Sequence, residues 1–337
     1  KQFKLAEKYF LKIKNDNSES ILNNFVSNSL LNWASFEELD FKNAQNKINL
    51  IDNRFENLKN IQSVFLHCFF ESKETEFLFK KLTTNTKIDF SRYNYFYSNY
   101  LVNTGEISKA EKIIDSSLTL YPRNLLLHQY KSDLQTDRKK NNFNCKNQSH
   151  VAAEILYITA NALSAQSIYT LSNFYLNLAK YLNADFESFN TLLAENFYKI
   201  NDFNHAKKIY DDIEKQGEAY LWYAAKQKSI MLIKEGQKEE ALKLLTNRYD
   251  KLSEKNVYII SDYADFLKNN DQFENSIKFY SKIIKKVKKT HPLYPKAMDG
   301  RGVAYERTGE WKKAEKDLLA SLEAKPEQAY VINYLAY

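Results

Sequence analysis

Apolar residues recur through most of this chain at three- and four-residue spacing, and single small or polar positions interrupt the pattern at short intervals. That spacing is the signature of amphipathic helices. The stretch Gly300–Gln328, "GRGVAYERTGEWKKAEKDLLASLEAKPEQ", shows the pattern most fully. It predicts two helices joined by a tight turn. Gly302 and Ala314 are the small residues that let the two backbones approach. Gly309 ends the first helix, where a left-handed backbone costs glycine little. Trp311 fills the wedge beside the turn, and Leu318 packs one turn after Ala314. Pro326 stops the second helix because it lacks an N–H donor.

The same columns recur upstream. The second-helix small residue returns as Ser276, Ala241, Ala206 and Ser172, and the first-helix one as Ala264, Ser229, Ala194 and Ala160. Both columns step by 38, 35, 35 and 34 residues. The turn column reads Asp271, Gly236, Asn201 and Ser167. The wedge column reads Phe273, Lys238, Phe203 and Tyr169, and the large column Tyr280, Leu245, Tyr210 and Leu176. Five columns in step define units at 153–186, 187–220, 222–255, 257–290 and 295–328. Gly105, Ile107, Ala110, Ile114 and Pro122 place another at 91–124. Further upstream the pattern fades. Phe41, Ala44 and Ile48, Thr75 with Phe79, and Phe3, Ala6 and Phe10 are expected to mark second helices. The polar stretch Leu134–His150 predicts a loop that interrupts the array. The expected organisation is therefore degenerate repeats over 1–133, a loop over 134–150 and a regular array over 151–337. The array closes on a partial unit, 329–337. Because the chain starts at Lys1 and ends in an uncapped first helix, it is expected to be an internal piece of a longer protein.

A period near 34 with two helices per unit and this small/large pattern resembles the tetratricopeptide repeat (TPR). The resemblance implies an all-α fold: a right-handed superhelical solenoid of antiparallel helix pairs with a concave inner groove. It also implies that the groove holds another protein or a peptide. The groove positions carried over are Tyr157, Asn161, Tyr198, Lys199, Tyr223, Lys226, Lys234, Tyr258, Lys268 and Asn269. Glu195, Ile230, Asp265, Lys296, Asp299, Glu306 and Arg307 are expected beside them. Tyrosines supply broad contact area at small entropic cost. Some family members clamp a C-terminal carboxylate with paired Lys and Asn, but here Glu195 follows Asn161 at the corresponding position, so no such clamp is expected. The loop followed by Val151-Ala152-Ala153-Glu154 looks like exported bacterial repeat proteins. That likeness favours a periplasmic over a cytoplasmic setting.

Composition narrows the alternatives. The chain has 337 residues, of which 44% are hydrophobic and 15% aromatic, so it can build a large core. Six glycines and four prolines leave little material for tight turns or a phosphate-binding loop. No apolar run approaches the ~20 residues needed to span a membrane. The net charge of +7 is modest for a dedicated nucleic-acid binder. The lysines of "IKFYSKIIKKVKK" (Lys278, Lys282, Lys285, Lys286, Lys288 and Lys289) are expected on the outer face as a solvated surface. Contact with nucleic acid or an anionic membrane is the alternative use of that surface.

Candidate chemistry is sparse. Cys68 sits in the apolar "FLHCFFES" and is expected to pack as a small buried hydrophobe. Cys145 and His150 lie in the loop without enough companions for zinc, which needs about four ligands. No nucleophile elbow, P-loop or His-Glu-x-x-His motif is present. We therefore expect a non-catalytic scaffold or adaptor with no cofactor. The alternative is the recognition arm of an enzyme whose catalytic domain lies elsewhere.

Overall fold

The computed structural model describes residue 8 and residues 21–85, 89–136 and 142–336. Among the described residues there is no β-strand. The expected second helix around Phe3, Ala6 and Phe10 lies outside the described residues. The chain divides into two compact units, Lys1–Ala224 and Ala225–Tyr337.

In the first unit, the helices come in hairpins: α1 (Ile21–Ser35) with α2 (Phe41–Asn49), α3 (Glu56–Phe69) with α4 (Thr75–Thr83), and α5 (Ser91–Asn103) with α6 (Ile107–Leu120). A lone helix, α7 (Leu125–Gln135), follows. Pairing then resumes with α8 (Gln148–Ala165) and α9 (Tyr169–Leu182), and α10 (Ser188–Lys199) and α11 (Phe203–Ile213). Helix α12 (Glu218–Lys234) carries the chain into the second unit, which continues with α13 (Lys238–Lys251). Two more hairpins follow: α14 (Val257–Asn269) with α15 (Phe273–Lys286), and α16 (Leu293–Arg307) with α17 (Trp311–Ala324). Helix α18 (Ala329–Ala336) comes last.

The sequence columns explain these hairpins. Ala160, Ala194, Ser229 and Ala264 are wholly buried, as are Ser172, Ala206, Ala241 and Ser276. The Ser172 hydroxyl donates to the Ala160 carbonyl at 2.7 Å, so the two small columns meet where the backbones of a pair come closest. At Gly302 an added Cβ would lie 2.9 Å from the Leu318 Cγ. Ser167, Asn201, Gly236, Asp271 and Gly309 all have positive φ, between 60° and 79°. Each ends its helix with an amide bond reaching back five residues, such as Glu310 N–H to the Tyr305 carbonyl at 2.8 Å. Gly105 and Glu71 play the same part in α5 and α3. Asn and Asp side chains start several helices. Asn256, for example, accepts from the amides of Tyr258 and Ile259.

The first unit also contains contacts that no repeat predicts. Phe65, Phe96, Phe143 and Phe186 form one buried aromatic cluster, with Phe143 ring centroids 4.5 Å from Phe96 and 5.3 Å from Phe65. Phe143 belongs to the stretch expected to be a polar loop. Residues 134–135 end α7 and residues 148–150 begin α8, and the described residues between them are tied down. Asn183 Nδ2 donates to the Asn142 carbonyl at 2.9 Å, and the Asn144 amide donates to His150 Nδ1 at 3.1 Å. Lys146 pairs with Glu71. Cys145 is bonded to Cys68 of α3 in a disulfide, with the Cα atoms 5.9 Å apart. This corrects the expectation that Cys68 is a thiol packing only as a small hydrophobe. It is buried, but it forms a covalent tie across 77 residues of sequence. Helix α1 packs against α8 as well as α2, so the first unit is held together by more than neighbouring hairpins.

Candidate binding face

In the first unit the residues expected to line a binding face have different surroundings. Tyr157, on α8, is only partly exposed. The Arg92 guanidinium lies 3.8 Å from its ring centroid, and Phe189 packs beside it at 5.5 Å. Arg92 comes from α5 and forms a two-pronged pair with the buried Glu154, at 2.7 and 2.8 Å. A third bond reaches Ser188 Oγ at 2.5 Å. Burial pushes the Glu154 carboxyl upward, while the guanidinium pulls it back. The planar fork of arginine is suited to this geometry. One guanidinium thus joins α5, α8 and α10.

Asn161 and Lys199 are exposed. Tyr198 is partly exposed and stacks on Phe203 across the α10–α11 turn at 5.8 Å. Tyr223 donates its hydroxyl to Glu195 and meets Tyr210 edge-on at 5.8 Å. Burial pushes the Tyr223 hydroxyl well above the usual tyrosine range. Asn196, next to Glu195, is wholly buried. It donates to Ser172 Oγ and Asn173 Oδ1, both at 2.8 Å, and accepts from Ser164 Oγ at 2.6 Å. Asn196 is therefore committed to joining α8, α9 and α10.

In the second unit the first helices α12, α14 and α16 are linked by a row of opposite charges. Lys226 meets Asp262 at 2.9 Å. Asp265 meets Lys296 at 2.5 Å and accepts from the Tyr280 hydroxyl at 2.7 Å. Burial pushes the Asp299 carboxyl up; Lys268 and Lys296 oppose that shift, while Asp265 adds to it. Tyr258 is partly exposed, its ring 5.9 Å from His291. Lys234 and Asn269 are exposed. This face therefore carries Lys226, Lys268 and Lys296 against Asp262, Asp265 and Asp299, and is close to neutral.

Several of these features are not evident from the sequence alone. Asp262 precedes Ala264 by two residues and Lys226 precedes Ser229 by three, so opposite charges at similar offsets in successive first helices are the available signal. Gly300 belongs to no repeating column. A Cβ there would collide with the Tyr280 ring, so its smallness makes room for the hydroxyl that reaches Asp265. No spacing rule marks Arg92 and Glu154 as partners. Among the described residues no group of three or more His, Cys, Asp or Glu could hold a metal ion, and no helix is long and apolar enough to cross a membrane.

No protein-family model matches the chain, and no curated protein matches it. Solved structures are similar to it. Yeast Tom70 is 14% identical over 99% of this chain and 68% of its own, with a TM-score of 0.43. YrrB, described as a TPR protein with an unusual peptide-binding site, is 15% identical over 55% of this chain and 92% of its own, with a TM-score of 0.39. A tetratricopeptide-repeat protein from Parabacteroides merdae is 10% identical over 83% of this chain and 97% of its own, with a TM-score of 0.38. Paired helices, buried small columns and left-handed turns in register define the class from the chain's own geometry. It is an all-α helical-repeat protein that fits the tetratricopeptide-repeat pattern.

Proposed function

We propose that the protein is a non-catalytic scaffold that holds a partner polypeptide along the face formed by its first helices. The observation that supports this most is the row in the second unit, where Lys226 of α12 pairs with Asp262 of α14 and Asp265 of α14 pairs with Lys296 of α16. Proteins built on this repeat generally mediate protein–protein contacts. A near-neutral face with partly exposed Tyr258 and exposed Lys234 and Asn269 suits a peptide held by hydrogen bonds and an aromatic or aliphatic anchor. Because Lys226 and Lys296 already have carboxylate partners, a purely acidic ligand is a poor fit: it would have to displace them. In the first unit Asn161 and Lys199 are exposed and Tyr198 is partly exposed. The Cys68–Cys145 disulfide is consistent with folding in an oxidising compartment, such as the periplasm.

Site-specific photo-crosslinking in the native cell tests this. A crosslinking residue at Lys234 or Asn269 should capture the same partner. Positions Lys282 and Lys286 on α15 should not. Capture only from α15 would contradict the proposal. It would favour a second reading based on one observation: Lys278, Lys282, Lys285, Lys286, Lys288 and Lys289 are all exposed along that helix and its C-terminal end. Such a surface would suit nucleic acid or an anionic membrane.

A further inference from the structure

Helix α9 differs from the other second helices among the described residues. Its buried side carries Ser172, Leu176 and Ala179, all wholly buried against its neighbours. Its opposite side is apolar too: Leu171 is 39% exposed, Phe174 56%, Leu178 37% and Tyr181 72%. Lys180 is its only charged residue, whereas each of α2, α4, α6, α11, α13, α15 and α17 carries two or more. A second helix normally presents charge to solvent, so an outward stripe of this kind marks a contact surface.

The spacing and the residue types of the stripe together suit a second copy of itself. Leu171, Phe174, Leu178 and Tyr181 follow one another at intervals of three, four and three, the a/d spacing of a coiled-coil seam. The four positions are also symmetric about residue 176. An antiparallel copy of α9 centred there sets Phe174 against Leu178 of the other copy, and Leu171 against Tyr181. Each pairing joins one leucine to one aromatic ring, so the volumes match on both sides. Two identical faces must also tolerate each other's charge, and a face with a single lysine and no carboxylate does so. A two-fold contact requires this self-complementarity.

We propose that α9 is a self-association surface, through which two copies of this chain pair antiparallel about a two-fold axis. Four side chains from one helix cover less area than the ~800 Å² per partner of a standard stable interface, so the dimer is weak and reversible, with Kd on the order of 10–100 µM.

Sedimentation equilibrium on the full chain tests this. The wild type should rise with concentration from its 39.7 kDa monomer toward twice that mass. Phe174→Lys and Leu178→Glu, each checked by circular dichroism, should each weaken self-association ~10-fold or more. An equimolar mixture of the two variants should associate again. In the mixed dimer the lysine introduced in one copy faces the glutamate introduced in the other, and the second Phe174–Leu178 pairing stays intact. A wild type that remains monomeric throughout would overturn the proposal, leaving the stripe for a different protein. A mixture that fails to associate would also overturn it, as would single variants that dimerise like the wild type.

Discussion

The first unit and the second are built from the same hairpin, yet different contacts hold them together. In Ala225–Tyr337 each helix meets its neighbours through the repeating columns, and the additional ties stay within one hairpin or between successive ones: the Lys226–Asp262 and Lys238–Asp271 pairs, and the two-pronged Arg301–Asp317 pair, whose carboxylate is buried. In Lys1–Ala224 the columns are supplemented by contacts between distant parts of the chain: the buried Arg92–Glu154 pair, the Phe65–Phe96–Phe143–Phe186 cluster, the disulfide, and α1 against α8. Charge differs as well. Residues 225–337 hold 22 Lys and Arg against 16 Asp and Glu, while residues 1–224 hold 27 against 26. A periodic array needs only nearest-neighbour terms. Where the period breaks, as it does after α7, specific long-range contacts must replace the missing hairpin partner.

The largest expected effect comes from separating the buried pair. Glu154→Ala leaves the Arg92 guanidinium buried without its carboxylate, and we expect a loss of ~3–5 kcal/mol in urea unfolding. The double variant Arg92→Met/Glu154→Leu should recover most of that loss, since no charge is then left buried. A double variant as unstable as the single one would show that the pair does more than satisfy itself.

Removing the disulfide comes next. Opening a 77-residue link, by Cys68→Ser/Cys145→Ser or by a reductant, should cost ~2–4 kcal/mol. The melting temperature with and without reductant provides the check. In the second unit, Ala241→Leu should overpack the α12–α13 pair by ~1–3 kcal/mol. An unchanged melting temperature would contradict the wholly buried placement of Ala241. The smallest effect belongs to the inter-repeat ion pairs. Lys226→Ala should change stability by ~1 kcal/mol or less, since the pair is only partly shielded from water.

The same difference governs what is legible in the sequence. Ala160, Ala194, Ala206, Ala241 and Ala264 are legible as core because small residues recur in step where paired backbones must approach closely. Asn201 and Asp271 are legible as turn residues because only a few side chains tolerate a left-handed backbone. Phe143, Cys145 and Arg92 are not, since each makes a contact that occurs once and leaves no period. Thr75, only weakly marked, is buried at the start of α4, four residues after Glu71 rather than the usual five after the turn. The candidate face is legible as a set of positions but not in its internal pairings. Tyr223 and Tyr157 can be placed on first helices by register, while their partners Glu195 and Arg92 depend on how successive helices sit side by side.

Native-state hydrogen exchange with and without a reductant tests most directly whether singular ties hold the first unit and periodic ones the second. We expect reduction to speed exchange in α3, in residues 142–147 and at the start of α8, and to leave α14 to α17 at their original rates. Equal acceleration across both units, or acceleration confined to residues 257–324, would contradict that division.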